Sequence, residues 1–303
     1  MLYRRLVAVA MLGVLPSLMP SLLPAQAATR SPQPLLVTID WLAGHLRDPR
    51  VVVIHAASNR AEYDAGHVPG ARFVAFNAYA ISQDGLSSQM APVAQLDSLL
   101  EGVGVNDGDH VVIYGQPLSV ARLLVTMDYL GLKGSVSVLD GGVDAWREGG
   151  KTLSRESGTA ARGTFTPHVD ASIIVDAPWV SANSSRRGIA LLDARAPEFY
   201  LGYSPGQMPR AGHIPNARNV PFSSLTGELT QLREQPKLSR LFAAAGVMPG
   251  DTVVTYCHIG MQASLLYFAA RRAGFDARIY DGSFEEWSKQ SDLPVVNESQ
   301  KKP

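Results

Sequence analysis

The sequence predicts an α/β protein made of two copies of one domain, each a parallel sheet covered by helices on both faces. Short continuous apolar runs such as Val51-Val52-Val53-Ile54 and Ile189-Ala190-Leu191-Leu192 suit strands buried on both sides. Stretches of helical period separate these runs, and strictly alternating strands and helices imply crossover connections between parallel neighbours. The whole pattern then occurs a second time, which predicts two similar domains rather than one large one.

Composition narrows the function before any motif is read. The 303 residues carry 27 basic and 27 acidic side chains with no basic stripe, so nucleic acid is not an expected partner. Cys257 is the single cysteine, which excludes an intrachain disulfide and any dithiol mechanism that needs a second thiol. His, Cys and carboxylates nowhere show metal-ligand spacing, so neither a metal nor a cofactor is expected. At the N-terminus Arg4-Arg5 precede an apolar run over residues 6–15, and Ala25-Gln26-Ala27 reads as a cleavage site. That is a signal-peptide layout, too short and too proline-interrupted for stable membrane insertion. The mature chain is expected to begin near Ala28 and to be recovered from the exported fraction, periplasmic or secreted.

In chain order, residues 1–27 form the signal and 35–150 the first domain. Residues 151–168, rich in Gly, Ser, Thr and Arg, form a linker; 169–297 are the second domain and 298–303 a disordered tail. Each domain opens with an N-cap candidate three residues before a tryptophan, Thr38 before Trp41 and Asp176 before Trp179. After the apolar strands, Gly66-His67-Val68-Pro69-Gly70-Ala71 corresponds to Gly212-His213-Ile214-Pro215-Asn216-Ala217. Each leads into a strand-like stretch, Phe73-Val74-Ala75-Phe76 or Asn219-Val220-Pro221-Phe222. Gly108-Asp109-His110-Val111-Val112-Ile113-Tyr114 aligns with Gly250-Asp251-Thr252-Val253-Val254-Thr255-Tyr256, and each copy closes on a tryptophan, Trp146 or Trp287. His67 occurs in the copy without a cysteine, so His213 reads as a turn residue and not as a catalytic one.

Cys257 stands where the buried strand Val253-Val254-Thr255 gives way to the helical run after Gln262. The first N–H groups of a helix have no partners within it and carry the positive end of its dipole, so an anion in the preceding loop is stabilised. A thiol there is expected to be acidified and nucleophilic. Gly260 allows the tight bend. The alignment places Gly115 opposite Cys257, so the first copy has no nucleophile, and Pro117 removes one N–H that a cradle would use. The first domain is therefore expected to wall the site without contributing chemistry.

These residues together resemble the rhodanese family of sulfurtransferases in its tandem-domain form, over essentially all of the mature chain. The resemblance rests on the duplicated Gly-His-[Val/Ile]-Pro-x-Ala element, Leu192-Asp193-Ala194-Arg195, the six-residue loop from Cys257 with Gly260 inside it, and Tyr280-Asp281-Gly282-Ser283-Phe284 with Trp287. It implies that Cys257 takes a sulfane sulfur from a small sulfur-containing anion such as thiosulfate, holds it as a persulfide, and passes it to a thiophilic acceptor such as cyanide or a thiol. The backbone amides of His258, Ile259, Gly260, Met261 and Gln262 are then the expected cradle.

Departures from the family pattern bear on the substrate. Thiosulfate-using members often read Cys-Arg-Lys-Gly-Val-Thr and mercaptopyruvate-using members Cys-Gly-Ser-Gly-Val-Thr, whereas here His258 and Ile259 follow the cysteine. Phe199 occupies the place where both types often carry a substrate-binding arginine, leaving Arg195 and Arg210 as anion-binding candidates. A protonated His258 would favour thiosulfate over 3-mercaptopyruvate. The second copy also carries an insertion, residues 200–210, rich in Gly and Pro and expected to be a loop that roofs the pocket. Alternative readings are a persulfide carrier or partner-binding module without small-molecule turnover, and a 3-mercaptopyruvate sulfurtransferase. A cysteine phosphatase is disfavoured because Ala263 stands where it needs an arginine to clamp phosphoryl oxygens.

Overall fold

The computed structural model describes residues 32–227 and 231–300. The signal expected at 1–27 lies outside the described residues. In the first domain the strands are β1 (Leu36–Val37), β2 (Val51–Ala57), β3 (Arg72–Ala75), a hairpin of β4 (Ala80–Gln83) and β5 (Leu86–Met90), β6 (His110–Gly115) and β7 (Val136–Leu139). Its helices are α1 (Ile39–His45), α2 (Ala61–Ala65), α3 (Val93–Gly102), α4 (Pro117–Met127) and α5 (Gly142–Glu148). The second domain has β8 (Ile174–Val175), β9 (Ile189–Asp193), β10 (Arg218–Asn219), β11 (Thr252–Tyr256) and β12 (Asp276–Tyr280), with α6 (Ala177–Asn183), α7 (Pro197–Tyr200), α8 (Gln235–Ala244), α9 (Met261–Ala273) and α10 (Ser283–Lys289). Each domain is a five-stranded sheet, ordered β1-β7-β6-β2-β3 and β10-β9-β11-β12-β8, with every neighbouring pair parallel. The fold class expected from the repeat is the one observed.

Matching local devices build the two copies. Thr38 Oγ1 accepts the Trp41 N–H at 3.1 Å, and Asp176 Oδ1 accepts that of Trp179 at 2.8 Å, so both N-caps form where the sequence places them. The closing tryptophans are buried, and their indoles donate to the carbonyls of Thr152 and Pro294 at 3.0 and 2.8 Å. His67 stacks on Tyr63 and His213 on Tyr200, at 3.7 and 3.8 Å between ring centroids. Each histidine also donates from Nδ1 to the carbonyl of its stacking partner, at 2.8 and 2.7 Å. These contacts give both histidines a turn-fixing role.

The two domains share one core. Val120, Leu123 and Leu124 of α4 join Leu265, Phe268 and Ala269 of α9 in a single apolar cluster, while separate clusters under Trp146 and Trp287 cover the outer sheet faces. Across this interface Asp128 accepts from the Tyr267 hydroxyl at 2.8 Å and pairs with the Arg271 guanidinium. Helix α9 of one domain is thereby packed on the equivalent helix, α4, of the other.

Several expectations need correction. The segment 151–168 between the domains is ordered along the first domain instead of flexible: Ser154 exchanges two main-chain bonds with His67, at 2.9 and 2.8 Å, and Phe165 is buried. The start of the expected disordered tail is also ordered, because Ser299 donates its N–H to Leu201 O at 3.0 Å and its hydroxyl to Gly202 O at 3.1 Å. Residues 301–303 lie outside the described residues. Tyr200 does in the second copy what Tyr63 does in the first, so the insertion begins at Leu201. The stretch from Asn219 to Phe222 contributes only the end of the two-residue β10, although Val220 and Phe222 still donate to the Asp193 and Ala194 carbonyls at 2.9 Å. Among the described residues no helix is long and apolar enough to cross a membrane.

His55 on β2 is fully buried against Tyr63, Phe73 and Tyr114, and neither ring nitrogen has a partner. Burial lowers its pKa from 6.5 to about 4, with His67 adding a smaller push in the same direction. A ring kept neutral in the fold contributes stability above the unfolded pKa of 6.5 that is lost as pH falls toward 4, because the unfolded chain then binds the extra proton. His55→Phe is therefore expected to be stabilising, and more so near pH ~5 than near pH ~7.5, in urea denaturation. An equal effect at both values would contradict this account.

Candidate active site

Cys257 follows β11 directly, and α9 begins four residues later, with Gly260 in the left-handed region (φ 88°) as its N-cap. That conformation turns successive N–H groups inward. The backbone N–H groups of Ile259, Gly260, Gln262 and Ala263 are directed toward the Cys257 sulfur, and each pulls its pKa down. Three of these, Ile259, Gly260 and Gln262, are among the residues whose amides were expected to form a cradle; Ala263 was not. Ser264 holds the Gly260 carbonyl through N–H and hydroxyl, at 3.1 and 2.8 Å, and Thr255 Oγ1 donates to Ala263 O at 3.0 Å.

A second helix start grips the same loop from the other side. The Ser283 hydroxyl accepts the Cys257 N–H at 3.2 Å and donates to Tyr280 O at 3.0 Å. Phe284 N–H donates to Cys257 O and Glu285 N–H to His258 O, both at 2.9 Å. Both carbonyls of the catalytic dipeptide are thus fixed by α10, and the sulfur is free to face the cradle.

The thiol is 1% exposed. Burial raises its pKa above the ordinary value and outweighs the four amides that pull it down, so the expected acidified thiol is not what the resting site holds. His258 is also changed from expectation. Burial, assisted by the charge of Arg195, lowers its pKa from 6.5 to about 4, and its ring stands edge-on to Phe199 at 4.7 Å between centroids. A neutral ring at physiological pH cannot act as the cation that would favour thiosulfate. A side chain at Gly206 would lie 3.2 Å from the Phe199 ring and 3.7 Å from His258 Nε2, so the insertion does cover this pair.

The two arginine candidates are occupied. Arg195, 1% exposed, lies in a fork with Asp193: Nε is 3.0 Å from both carboxylate oxygens, and Nη2 is 2.5 Å from Oδ2 and 2.7 Å from Gly212 O. Burial pulls its pKa down, but the Asp193 carboxylate more than offsets this and holds it above its ordinary value. Arg195 acts on the site through its charge beside Cys257, from a position fixed by Asp193. Arg210 is a clear correction. Its guanidinium donates to the carbonyls of Trp287, Ser288, Gln290 and Leu293 at 2.6 to 2.9 Å, capping the end of α10, and holds nothing toward the substrate side.

The first domain lacks this machinery at every equivalent place. His55-Ala56-Ala57 stands in register where the second domain has Asp193-Ala194-Arg195, and Gly115 follows Tyr114 as Cys257 follows Tyr256. A cavity of about 390 Å³ lies over the Gly115-Gln116-Pro117 turn, walled partly by Leu265 and Phe268 of the second domain. The hairpin β4–β5, which no sequence observation anticipated, is what the first domain brings to the active site. Ser87 N–H donates to Glu285 Oε2 at 2.8 Å and Met90 N–H to Asp281 Oδ2 at 2.7 Å. Asp84-Gly85 at its tip, both in the left-handed region, was the available signal. No group of three or more His, Cys, Asp or Glu among the described residues is arranged to hold a metal ion.

Sequence comparison decides the family: the rhodanese-like domain matches twice, at residues 38–149 and 176–290. The chain belongs to the rhodanese family. Similar rhodanese-family proteins include a Pseudomonas aeruginosa protein named for 3-mercaptopyruvate sulfurtransfer, 31% identical over 86% of this chain and 97% of its own. A Mycobacterium tuberculosis protein named for thiosulfate sulfurtransfer is also 31% identical, over 86% of this chain and 90% of its own. A sulfur carrier protein of Thermus thermophilus is 28% identical over 86% and 96%. Among solved structures, an anaerobic ergothioneine biosynthesis enzyme of Chlorobium limicola superposes with a TM-score of 0.77 at 24% identity, covering 87% of this chain and 70% of that one, a likeness of fold.

The silent domain is not one substitution away from activity. A Cβ at Gly115 would lie 2.3 Å from Ala56 O, on a backbone with φ 129°. Gly115→Cys is expected to cost about 2 kcal/mol or more of stability. It should also gain no sulfur by mass spectrometry in a Cys257→Ser background. Loading at position 115 would contradict the structural account of this domain.

Proposed function

We propose that the protein is a sulfurtransferase that moves a sulfane sulfur from a small sulfur-containing anion to a thiophilic acceptor through a persulfide on Cys257. The observation that carries this reading is the convergence of four backbone N–H groups on one buried sulfur. A persulfide's terminal sulfur is a compact anion, and fixed N–H dipoles in a dry site stabilise it without reorganisation. In the first half-reaction Cys257 loses its proton to solvent and the resulting thiolate attacks the outer sulfur of the donor. The donor's bond to that sulfur breaks and its electron pair leaves with sulfite or pyruvate enolate. In the second, the acceptor attacks the terminal sulfur and the electron pair returns to Cys257. Arg195, held by Asp193, offsets the negative charge that appears in both steps.

Donor choice is only weakly ranked by the loop. With His258 neutral, no loop side chain supplies a cation, and of the grounds for preferring thiosulfate over 3-mercaptopyruvate only the lack of a hydroxyl at Ile259 is left. The relatives named above divide along the same line. A second reading, a persulfide carrier that yields sulfur only to a protein, is favoured by the 1% exposure of Cys257 and by the sulfur carrier among the relatives. Export through the N-terminal signal remains part of the proposal and would place either activity outside the cytoplasm.

Excess thiosulfate is expected to make the protein heavier by one sulfur atom, and cyanide to reverse this with release of thiocyanate; Cys257→Ser should lose both steps. Failure of the unaltered protein to gain sulfur from thiosulfate or 3-mercaptopyruvate would defeat the assignment, and gain without release to cyanide would favour the carrier. Ile259→Lys should lower the thiosulfate KM by roughly tenfold, since it restores a cation for the dianion, with less effect on monoanionic mercaptopyruvate. An unchanged KM would show that the loop side chains do not meet the donor.

A further inference from the structure

Arg122 projects from α4 of the cysteine-free domain yet is wholly buried against the catalytic loop of the other. Its Nη1 pairs with Asp281 Oδ1, and its Nη2 donates to Ser88 O at 2.8 Å. Asp281 Oδ2 takes the Met90 N–H at 2.7 Å, so the pair ties α4, the β4–β5 hairpin and the turn before α10 together. The same pair is packed against Gly260. A Cβ built there would lie 3.4 Å from Arg122 Nη1 and 3.3 Å from both the main-chain oxygen and Oδ1 of Asp281. Gly260 is one of the four residues whose N–H meets the Cys257 sulfur, and Asp281 is two residues from Ser283, which holds the Cys257 N–H.

We propose that Arg122 is a positioning residue for the sulfur cradle: through Asp281 it fixes the left-handed Gly260 turn, so that the Gly260 N–H stays aimed at the sulfur of Cys257. The domain without a nucleophile would then act on catalysis through one ion pair. The proposal rests on Cys257 being the sulfur acceptor, but its test does not depend on any donor.

A buried ion pair stripped of one member leaves an uncompensated charge and often prevents folding, so the informative variant removes both charges at once. Arg122→Met with Asp281→Asn keeps the volume and leaves the net charge near Cys257 unchanged. The other charged and titratable groups around the thiol include Asp193 at the end of β9, Arg195 after it, and Tyr256 and His258 on either side of Cys257, none of which is substituted. A change in the thiol's behaviour then reports on the aim of the amides. In the folded double variant the pH midpoint of Cys257 alkylation by iodoacetamide is expected to rise by roughly one unit, and sulfur loading from thiosulfate to slow by roughly tenfold. Arg122→Lys, which keeps a cation against Asp281, should recover most of both. A double variant that is folded and merely less heat-stable, with the wild-type alkylation midpoint, would overturn the proposal and leave Arg122 a structural residue. Should the unaltered protein take no sulfur, the function proposed above fails, while the alkylation midpoint still decides the role of Arg122.

Discussion

A reactive sulfur sealed from water must have its negative charge held by something, and here that is the peptide backbone. Four N–H groups at the start of α9 meet Cys257, whose 1% exposure removes water from the competition. Backbone dipoles work as a cradle only if the turn carrying them cannot relax. Much of the second domain is accounted for by that demand. β11 delivers the cysteine, the α10 N-terminus fixes the carbonyls of Cys257 and His258, and Ser283 takes the Cys257 N–H. Burial still leaves the resting thiol above its ordinary pKa, so the full benefit of the cradle comes with the bound sulfane sulfur rather than with the bare thiolate.

The duplication explains how such a turn is supported. Two copies of one sheet pack through α4 and α9 around a shared apolar cluster, and each copy presents the end of its central strand to the other. Only the second copy carries the cysteine and the aspartate–arginine fork. In the first, His55 and Ala57 stand where the second has the aspartate–arginine fork, a glycine whose Cβ would press against Ala56 O stands at the cysteine position, and a proline opens the helix. What the first copy contributes is rigidity, through the hairpin contacts to Glu285 and Asp281 and through buried Arg122.

The fold and the place of Cys257 at a strand-to-helix turn were legible because their causes are local. Apolar runs, caps at Thr38 and Asp176, and the paired Gly-His-x-Pro elements each depend on residues within a few positions of one another. What could not be read depends on distant partners. His258 looks like a cation in sequence and is neutral because Phe199 and the insertion cover it. Arg210 looks like an anion ligand and instead satisfies carbonyls of a helix that ends nearly eighty residues later. Ser87 and Met90 reach Glu285 and Asp281 across about two hundred residues of chain, a pairing that no periodicity encodes.

The central claim is that backbone amides, and no side-chain cation, hold the transferred sulfur. A crystal structure of the protein reacted with thiosulfate tests it most directly. The account predicts one added sulfur on Cys257, within hydrogen-bond range of the N–H groups of Ile259, Gly260, Gln262 and Ala263, with Arg195 still forked on Asp193. An added sulfur turned away from those amides and held by a guanidinium released from Asp193 would contradict it.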